Sequence, residues 1–100
     1  MKIDQYPVFL LRSGEDYATI STPESEQDKP EFGLLIFESQ EMADDFVKRV
    51  ELQNVEVVPL EQEELVKVWN RLIAPISKIA WNTKLDDEGN LTTSIYDSVE

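Results

Sequence analysis

The segment Lys84–Ile95, KLDDEGNLTTSI, places carboxylate and amide side chains around a glycine, which is the composition of a calcium-binding loop. An EF-hand loop needs a carboxylate at its first position and a bidentate glutamate at its twelfth, between two helices. Here the first position is Lys84 and the twelfth is Ile95. The flanking residues alternate between apolar and polar, as β-strands do. The pattern therefore predicts a hairpin turn in which Gly89 and Asn90 adopt positive φ.

Other residues that could do chemistry are scarce. The chain has no histidine and no cysteine, so it lacks the commonest general base, a thiolate nucleophile and the most frequent transition-metal ligands. A catalytic carboxyl needs a pKa shifted by burial or by a close neighbour, but pairs such as Glu38 with Glu41 fall at a predicted helix cap and on a solvent-facing turn. We therefore predict no enzymatic activity, no catalytic residue, no cofactor and no metal.

The charge of the chain restricts its partners. Acidic side chains number 21 and basic ones 9, which gives a net charge of −12. Lys48 and Arg49 form the only adjacent basic pair, so nucleic acid should be repelled, whereas a basic protein partner is favoured. The apolar run Val8–Leu11 is too short for a signal peptide or a membrane span. We expect a cytoplasmic protein with no direct nucleic-acid binding and no membrane association.

Length and periodicity predict the architecture. One hundred residues with 41% hydrophobic content fit a single domain, 1–100. Apolar runs predict strands near 6–11, 17–21 and 33–37, the first two joined by a turn at Ser13 and Gly14. The segment 21–31, STPESEQDKPE, has two prolines and no large apolar residue, and predicts an acidic flexible loop.

The second half of the chain alternates between helix and strand patterns. Ser39 is a candidate N-cap for a helix running to about Leu52. Val55–Val58 predicts a short strand, and the following apolar stripe predicts a second helix that Pro75 ends. Two strands joined by DDEGN complete the chain. The fold class is therefore α+β with the order β-β-β-α-β-α-β-β, a largely antiparallel sheet and two helices packed on one face.

The last hairpin offers one candidate interaction surface. Side chains alternate along a strand, so residues of one parity should point to the core: Ile79, Trp81, Leu91, Thr93 and Ile95. The remaining side chains should share the opposite face: Lys78, Asn82, Lys84, Thr92, Ser94 and Tyr96. These six form the least acidic area of an acidic chain. Their face is either an ordinary solvated sheet face or a docking surface for a partner or a small anion, and we carry the docking surface forward as the candidate site.

Two apolar runs suggest a second surface. VFLL at 8–11 and LLIF at 34–37 are apolar at every position, as strands covered on both faces are. If both helices cover one face, Leu34 and Ile36 must point the other way and form an exposed patch. A second copy, another protein partner or internal cover by a curled sheet or the tail would bury it. We expect a homodimer.

Three classes of function remain open at this stage. The first is a small acidic, non-enzymatic protein-interaction or regulatory module, favoured because the residue types that carry chemistry are missing. The second is an acidic inhibitor or immunity-type protein that imitates the charge of nucleic acid. The third is an enzyme whose site follows no familiar motif.

Overall fold

The structure is a computed structural model that describes residues 3–21, 31–72 and 76–97. Its elements are β1 (Val8–Ser13), β2 (Asp16–Tyr17), β3 (Thr19–Ser21), β4 (Phe32–Ile36), α1 (Gln40–Arg49), β5 (Glu56–Leu60), α2 (Gln62–Arg71), β6 (Ile76–Leu85) and β7 (Leu91–Tyr96). This confirms the α+β class and the predicted order, except that the second predicted strand is divided into β2 and β3. The predicted flexible loop lies outside the described residues, apart from its ends Ser21 and Glu31.

The strands form two sheets, one with the order β2-β1-β5 and the other with the order β3-β4-β6-β7. The pairing of β4 with β6 is parallel and the other pairings are antiparallel, which confirms a largely antiparallel arrangement. The two sheets are joined side by side. Phe9 and Phe37 exchange two backbone hydrogen bonds of 2.8 Å, and Ala18 bonds to Leu11 on one side and to Leu35 on the other. Ala18 thus marks the point at which the second predicted strand stops pairing with β1 and begins to pair with β4. This change of partner explains why the strand is divided into β2 and β3.

The two helices cover opposite faces of the joined sheets. Phe46 of α1 packs with Leu11 and Leu35, whereas Leu65 of α2 packs in a separate cluster with Leu10 and others. The prediction that both helices pack on one face is therefore wrong. The reason lies in the connections: α1 leads from β4 outward to β5, and α2 leads back to β6 on the other side of β4. Right-handed crossovers that run in opposite directions place their helices on opposite faces.

This arrangement changes the interpretation of Leu34 and Ile36. Both are fully buried, in the cluster that contains Leu65 and is flanked by Trp69 of α2. The inference that the apolar runs are covered on both faces is confirmed, but α2 supplies the second cover within the same chain. The prediction of an exposed patch at Leu34 and Ile36 is therefore wrong. Because the expected homodimer was inferred from that patch, the structure gives no support for it.

Both helices begin at capped termini. The Ser39 hydroxyl accepts a hydrogen bond of 3.2 Å from the Met42 amide, which confirms Ser39 as the N-cap of α1. On α2 the Glu64 carboxylate accepts a hydrogen bond of 3.2 Å from the backbone N–H of Glu61, the N-cap residue. That helix ends at Arg71, before the proline expected to stop it. Each helix has ten residues, and within the described residues no helix is long and apolar enough to cross a membrane.

Candidate functional site

A bulge in β6 reorganises the hairpin on which the docking surface was predicted. The pairing of β6 with β7 shifts between Trp81 and Lys84. Asn82 has a φ of 50° there, in the left-handed region that asparagine tolerates better than most residues. Its Oδ1 accepts a hydrogen bond of 2.9 Å from the backbone N–H of Glu38, just before α1. The bulge is therefore held by a bond between β6 and the start of α1.

The bulge also changes which side chains share a face. Trp81 pairs with Ser94, and Lys84 pairs with Thr92, so these four lie on one side together with Tyr96. The prediction that Trp81 shares a face with Ile79 and packs on the core is confirmed. Its predicted separation from Lys84, Thr92 and Ser94 is wrong, because one extra residue in β6 interrupts the two-residue alternation. Four of the six predicted residues, Lys84, Thr92, Ser94 and Tyr96, do share a face.

Lys78 is separated from that group. It precedes the bulge and lies on the side of Ala80, whose side chain packs in the α1 cluster. Its ammonium group forms an ion pair with Asp97. The hydrogen bond that Lys78 donates to Asp97 is the main cause that lowers the pKa of Asp97 below its ordinary value, and the Coulombic attraction between them is the second. Lys78 therefore fastens the end of β7 to β6 and does not join the other predicted residues.

Beyond the end of β4, β6 and β7 border an open groove beside α1. The last residue of β4 to pair with β6 is Ile36, opposite Trp81. The rest of β6 extends past the end of β4 and pairs with β7 alone among the described strands. Two adjoining depressions of about 580 and 370 Å³ meet there and share three lining residues. We call them together the hairpin groove, lined by Glu38, Glu41, Met42, Asp45, Arg49, Trp81, Asn82, Lys84, Leu85, Asp86, Asp87, Thr92, Thr93 and Ser94.

Arg49 connects the two walls of the hairpin groove. Its Nε lies 3.0 Å from a carboxylate oxygen of Asp45 on the same helix. Its Nη1 donates to Asp87 at 3.2 Å and to the carbonyl of Leu85 at 3.4 Å. The hydrogen bond to Asp45, followed by the one to Asp87, raises the pKa of Arg49 above its ordinary value. Arg49 therefore stays charged and ties α1 to the hairpin turn.

The turn itself confirms the hairpin interpretation of residues 84–95. The Asp86 carboxylate accepts hydrogen bonds from the backbone N–H groups of Glu88 at 2.9 Å and Asn90 at 2.8 Å. Gly89 has a φ of 86°, as predicted, whereas Asn90 does not adopt positive φ. The carboxylate that begins the turn is thus occupied in closing it.

The hairpin groove is acidic, in contrast with the expectation for this region. The six predicted hairpin residues carry no carboxylate, but α1 and the turn bring four carboxylates to the groove and Glu38 adds a fifth, against two cations. One of those cations, Arg49, is paired with Asp45 and Asp87. Lys84 is exposed and forms no ion pair with the described residues. A partner approaching the groove therefore meets net negative charge around the half-buried Met42 and Trp81.

A larger depression of about 640 Å³ lies elsewhere, between β1–β2 and the end of α2. It includes Arg12 and Arg71 but also Glu15 and Asp16. Arg12 is engaged, because its Nε donates to Glu56 at 2.9 Å. Its lining includes Leu72 and Ile76, and the residues between them in the sequence lie outside the described part of the chain. None of the predicted site residues lines it, so the hairpin groove is the stronger candidate.

Sequence reasoning missed the contribution of α1 to this site. Glu41, Met42 and Asp45 fall within the helix predicted to follow Ser39, and nothing in their spacing indicates that the hairpin lies beside them. Comparisons with known proteins provide no further guidance, since no protein-family model, no curated protein and no solved structure matches the chain.

Proposed function

We propose that this chain is a small acidic, non-enzymatic interaction module of the cytoplasm, which docks a protein partner in the hairpin groove. The observation that carries the proposal is the combination of half-buried Trp81 and Met42 with a surrounding row of carboxylates. Aromatic side chains and methionine are enriched in protein interfaces. The carboxylates favour a basic partner and orient it. The absence of histidine and cysteine from the sequence supports a non-enzymatic role and a reducing compartment.

A pull-down with a triple variant tests the docking surface. Glu41, Thr92 and Ser94 are all exposed groove residues, so replacing them together with alanine should leave the fold intact. We expect the variant to lose the proteins that the wild type retains from a source lysate, identified by mass spectrometry, with an unchanged urea midpoint. The measurement is made at about 150 mM salt, where long-range attraction between exposed charges is already screened.

The matched control replaces three exposed residues of α2, Gln62, Glu63 and Asn70, with alanine. These lie on the helix that covers the other face of the sheet. We expect this variant to retain the same proteins as the wild type. Equal loss in both triple variants, or in neither, would contradict docking at the hairpin groove.

The net charge of −12 favours a second candidate, a charge-mimicking inhibitor of a nucleic-acid-binding protein. The two candidates respond differently to salt. Binding by charge mimicry should collapse between about 50 and 500 mM salt, because the Debye length falls to a few ångströms over that range. An interface with an apolar centre should retain its partner.

Two glutamates give a local test of the same question. Glu41 lies in the first turn of α1 at the hairpin groove, and Glu63 lies in the first turn of α2. Lysine at either position places the same unfavourable charge near a helix N-terminus. Docking in the groove predicts that only Glu41→Lys weakens the partner, whereas general charge mimicry predicts similar weakening by both variants.

A further inference from the structure

The two edge strands of the joined sheets differ in how well they are protected against pairing with another strand. Across the joined sheets the outermost strands are β5 and β7. In the described part of the chain, β7 pairs only with β6. Every second residue of an antiparallel strand directs its N–H and C=O groups away from a given neighbour. The outer side of β7 therefore presents a row of backbone groups that no strand of the described residues pairs with.

The sequence of β5 is protected against strand addition, but that of β7 is not. β5 contains Pro59, which has no N–H to donate, and begins with the charged Glu56. Proline and charge are the usual devices that stop another strand from pairing with an edge. β7, LTTSIY, contains neither. Its six residues are the modal length of a strand, long enough to hold a peptide by main-chain hydrogen bonds.

Exposed apolar side chains mark both ends of the same strand. Leu91, the first residue of β7, is 51% exposed, and Tyr96, the last, is 39% exposed. Among the described residues, Leu52 is the one other large hydrophobic side chain that is exposed. Leu91 and Tyr96 are five positions apart and so lie on opposite faces of the strand. An added strand would meet one apolar anchor on each face.

We infer that β7 is a strand-addition site, and that its occupant is an extended, basic segment of a protein partner. The inference rests on the proposed function in requiring a protein partner, and it adds how that partner binds. Charge complementarity identifies the occupant. The turn before β7 carries Asp86, Asp87 and Glu88, and Asp97 follows the strand. Asp87 and Asp97 each pair with one cation of the chain but stay largely exposed, whereas Glu88 pairs with no cation of the described residues. Lysine or arginine at the two ends of an added strand would face these carboxylates.

A second copy of the chain fits this edge poorly. Two β7 strands paired antiparallel would place the acidic turn of each copy beside Tyr96 and Asp97 of the other, because antiparallel pairing brings opposite ends together. Each copy also carries a net charge of −12. Like charges at both ends and repulsion between the whole molecules oppose this pairing.

A display library of eight-residue peptides tests the inference without a lysate. Alternate positions are fixed as valine and the others are random. Selection against the full chain should enrich peptides with lysine or arginine near both ends. In amide NMR spectra, the largest shifts should fall within Leu91–Tyr96. An empty selection, enriched peptides without basic residues, or shifts confined to other strands would overturn the inference.

Backbone N-methylation of one enriched peptide then distinguishes strand addition from side-chain binding. Methyl groups on one set of alternate amides block the hydrogen bonds to β7, and methyl groups on the other set face away. We expect about tenfold or greater loss of affinity for one set and little change for the other. Equal effects would exclude strand addition. If such a peptide shifts only the Glu41 and Asp45 region, the groove proposal survives while this one fails.

Variants of the chain test the two apolar anchors. Leu91→Ser combined with Tyr96→Ser should weaken the peptide by about tenfold, because both side chains lie on the edge strand. Leu52→Ser is the matched control, since Leu52 is similarly exposed but lies between α1 and β5. It should not alter affinity. Sedimentation showing a dimer whose interface maps to β7 would instead assign the edge to a second copy and overturn the basic-peptide occupant.

Discussion

At the scale of single residues, Asn82 has the largest influence on the candidate site. Its positive φ creates the bulge in β6, and its side chain holds the start of α1 through Glu38. These two effects place Trp81 beside Ser94 and open the hairpin groove past the end of β4. Non-glycine residues in the left-handed region are uncommon, and β-bulges are over-represented next to functional sites.

Substitutions at Asn82 should separate its backbone role from its side-chain role. Asn82→Gly keeps the left-handed conformation accessible but loses the hydrogen bond to Glu38, at a cost of about 1 kcal/mol. Asn82→Ala loses both and should cost about 2 kcal/mol. Urea denaturation measures the free energy of unfolding of each variant. Equal losses for alanine and glycine would show that the backbone conformation contributes nothing.

A second residue-scale prediction concerns Asp97. Lys78 lowers the pKa of this carboxyl below its ordinary value of 3.8. A depressed pKa in the folded state means that the ion pair stabilises the fold above pH 3.8 and that this contribution is lost as the pH falls through the lower folded value. Carboxyl-carbon NMR should show Asp97 titrating below 3.8, and Lys78→Met should raise its pKa. Lys84→Met is the control and should leave it unchanged.

At the scale of elements, the hairpin turn is coupled to α1 through one side chain. Arg49 contacts Asp87 and Leu85 in the turn while it is held by Asp45 on its own helix. The Arg49 side chain is 42% exposed. Exposed ion pairs contribute little to global stability, so this contact acts mainly on the local position of the turn and therefore on the width of the hairpin groove.

Arg49→Met should release the turn with little effect on the whole fold. We expect faster amide hydrogen exchange at residues 86–90 and a free energy of unfolding within about 1 kcal/mol of the wild type. Lys48→Met removes a neighbouring exposed cation that makes no ion pair with the described residues, and it should change neither quantity. A large global loss, or unaltered exchange in the turn, would show that Arg49 does not act as a tether.

The elements were predictable from the sequence to the extent that their signals are local. Ser39 capping α1, the apolar stripe through Phe46 and the turn at Gly89 all depend on neighbouring residues. The bulge at Asn82 was not predictable, because the two-residue alternation appears intact through Trp81 and Thr83 when β7 and Glu38 are unknown. The groove was not predictable either, because α1 and the hairpin meet only after the strand order is established.

At the scale of the whole molecule, the position of α2 decides which surfaces are free. Because α1 and α2 pack on opposite faces, strands β1 and β4 are buried on both sides, and their continuous apolar runs have an internal explanation. The two helices thus cover the centres of both faces of the sheet. The surfaces that a partner could contact lie at the margin of the sheet, at the hairpin groove and at the edge strand β7.

A lysine at position 36 tests this arrangement directly. Ile36 is fully buried in the cluster with Leu34 and Leu65, and a charged group placed there without a partner should cost several kcal/mol, a large part of the stability of a small domain. We expect Ile36→Lys to lower the urea midpoint sharply or to abolish the folded circular dichroism spectrum. Leu52→Lys, at a residue 38% exposed, should leave both unchanged. A stable, folded Ile36→Lys monomer obtained from a wild-type dimer would contradict the packing of α2 on this face and restore the case for self-association through Ile36.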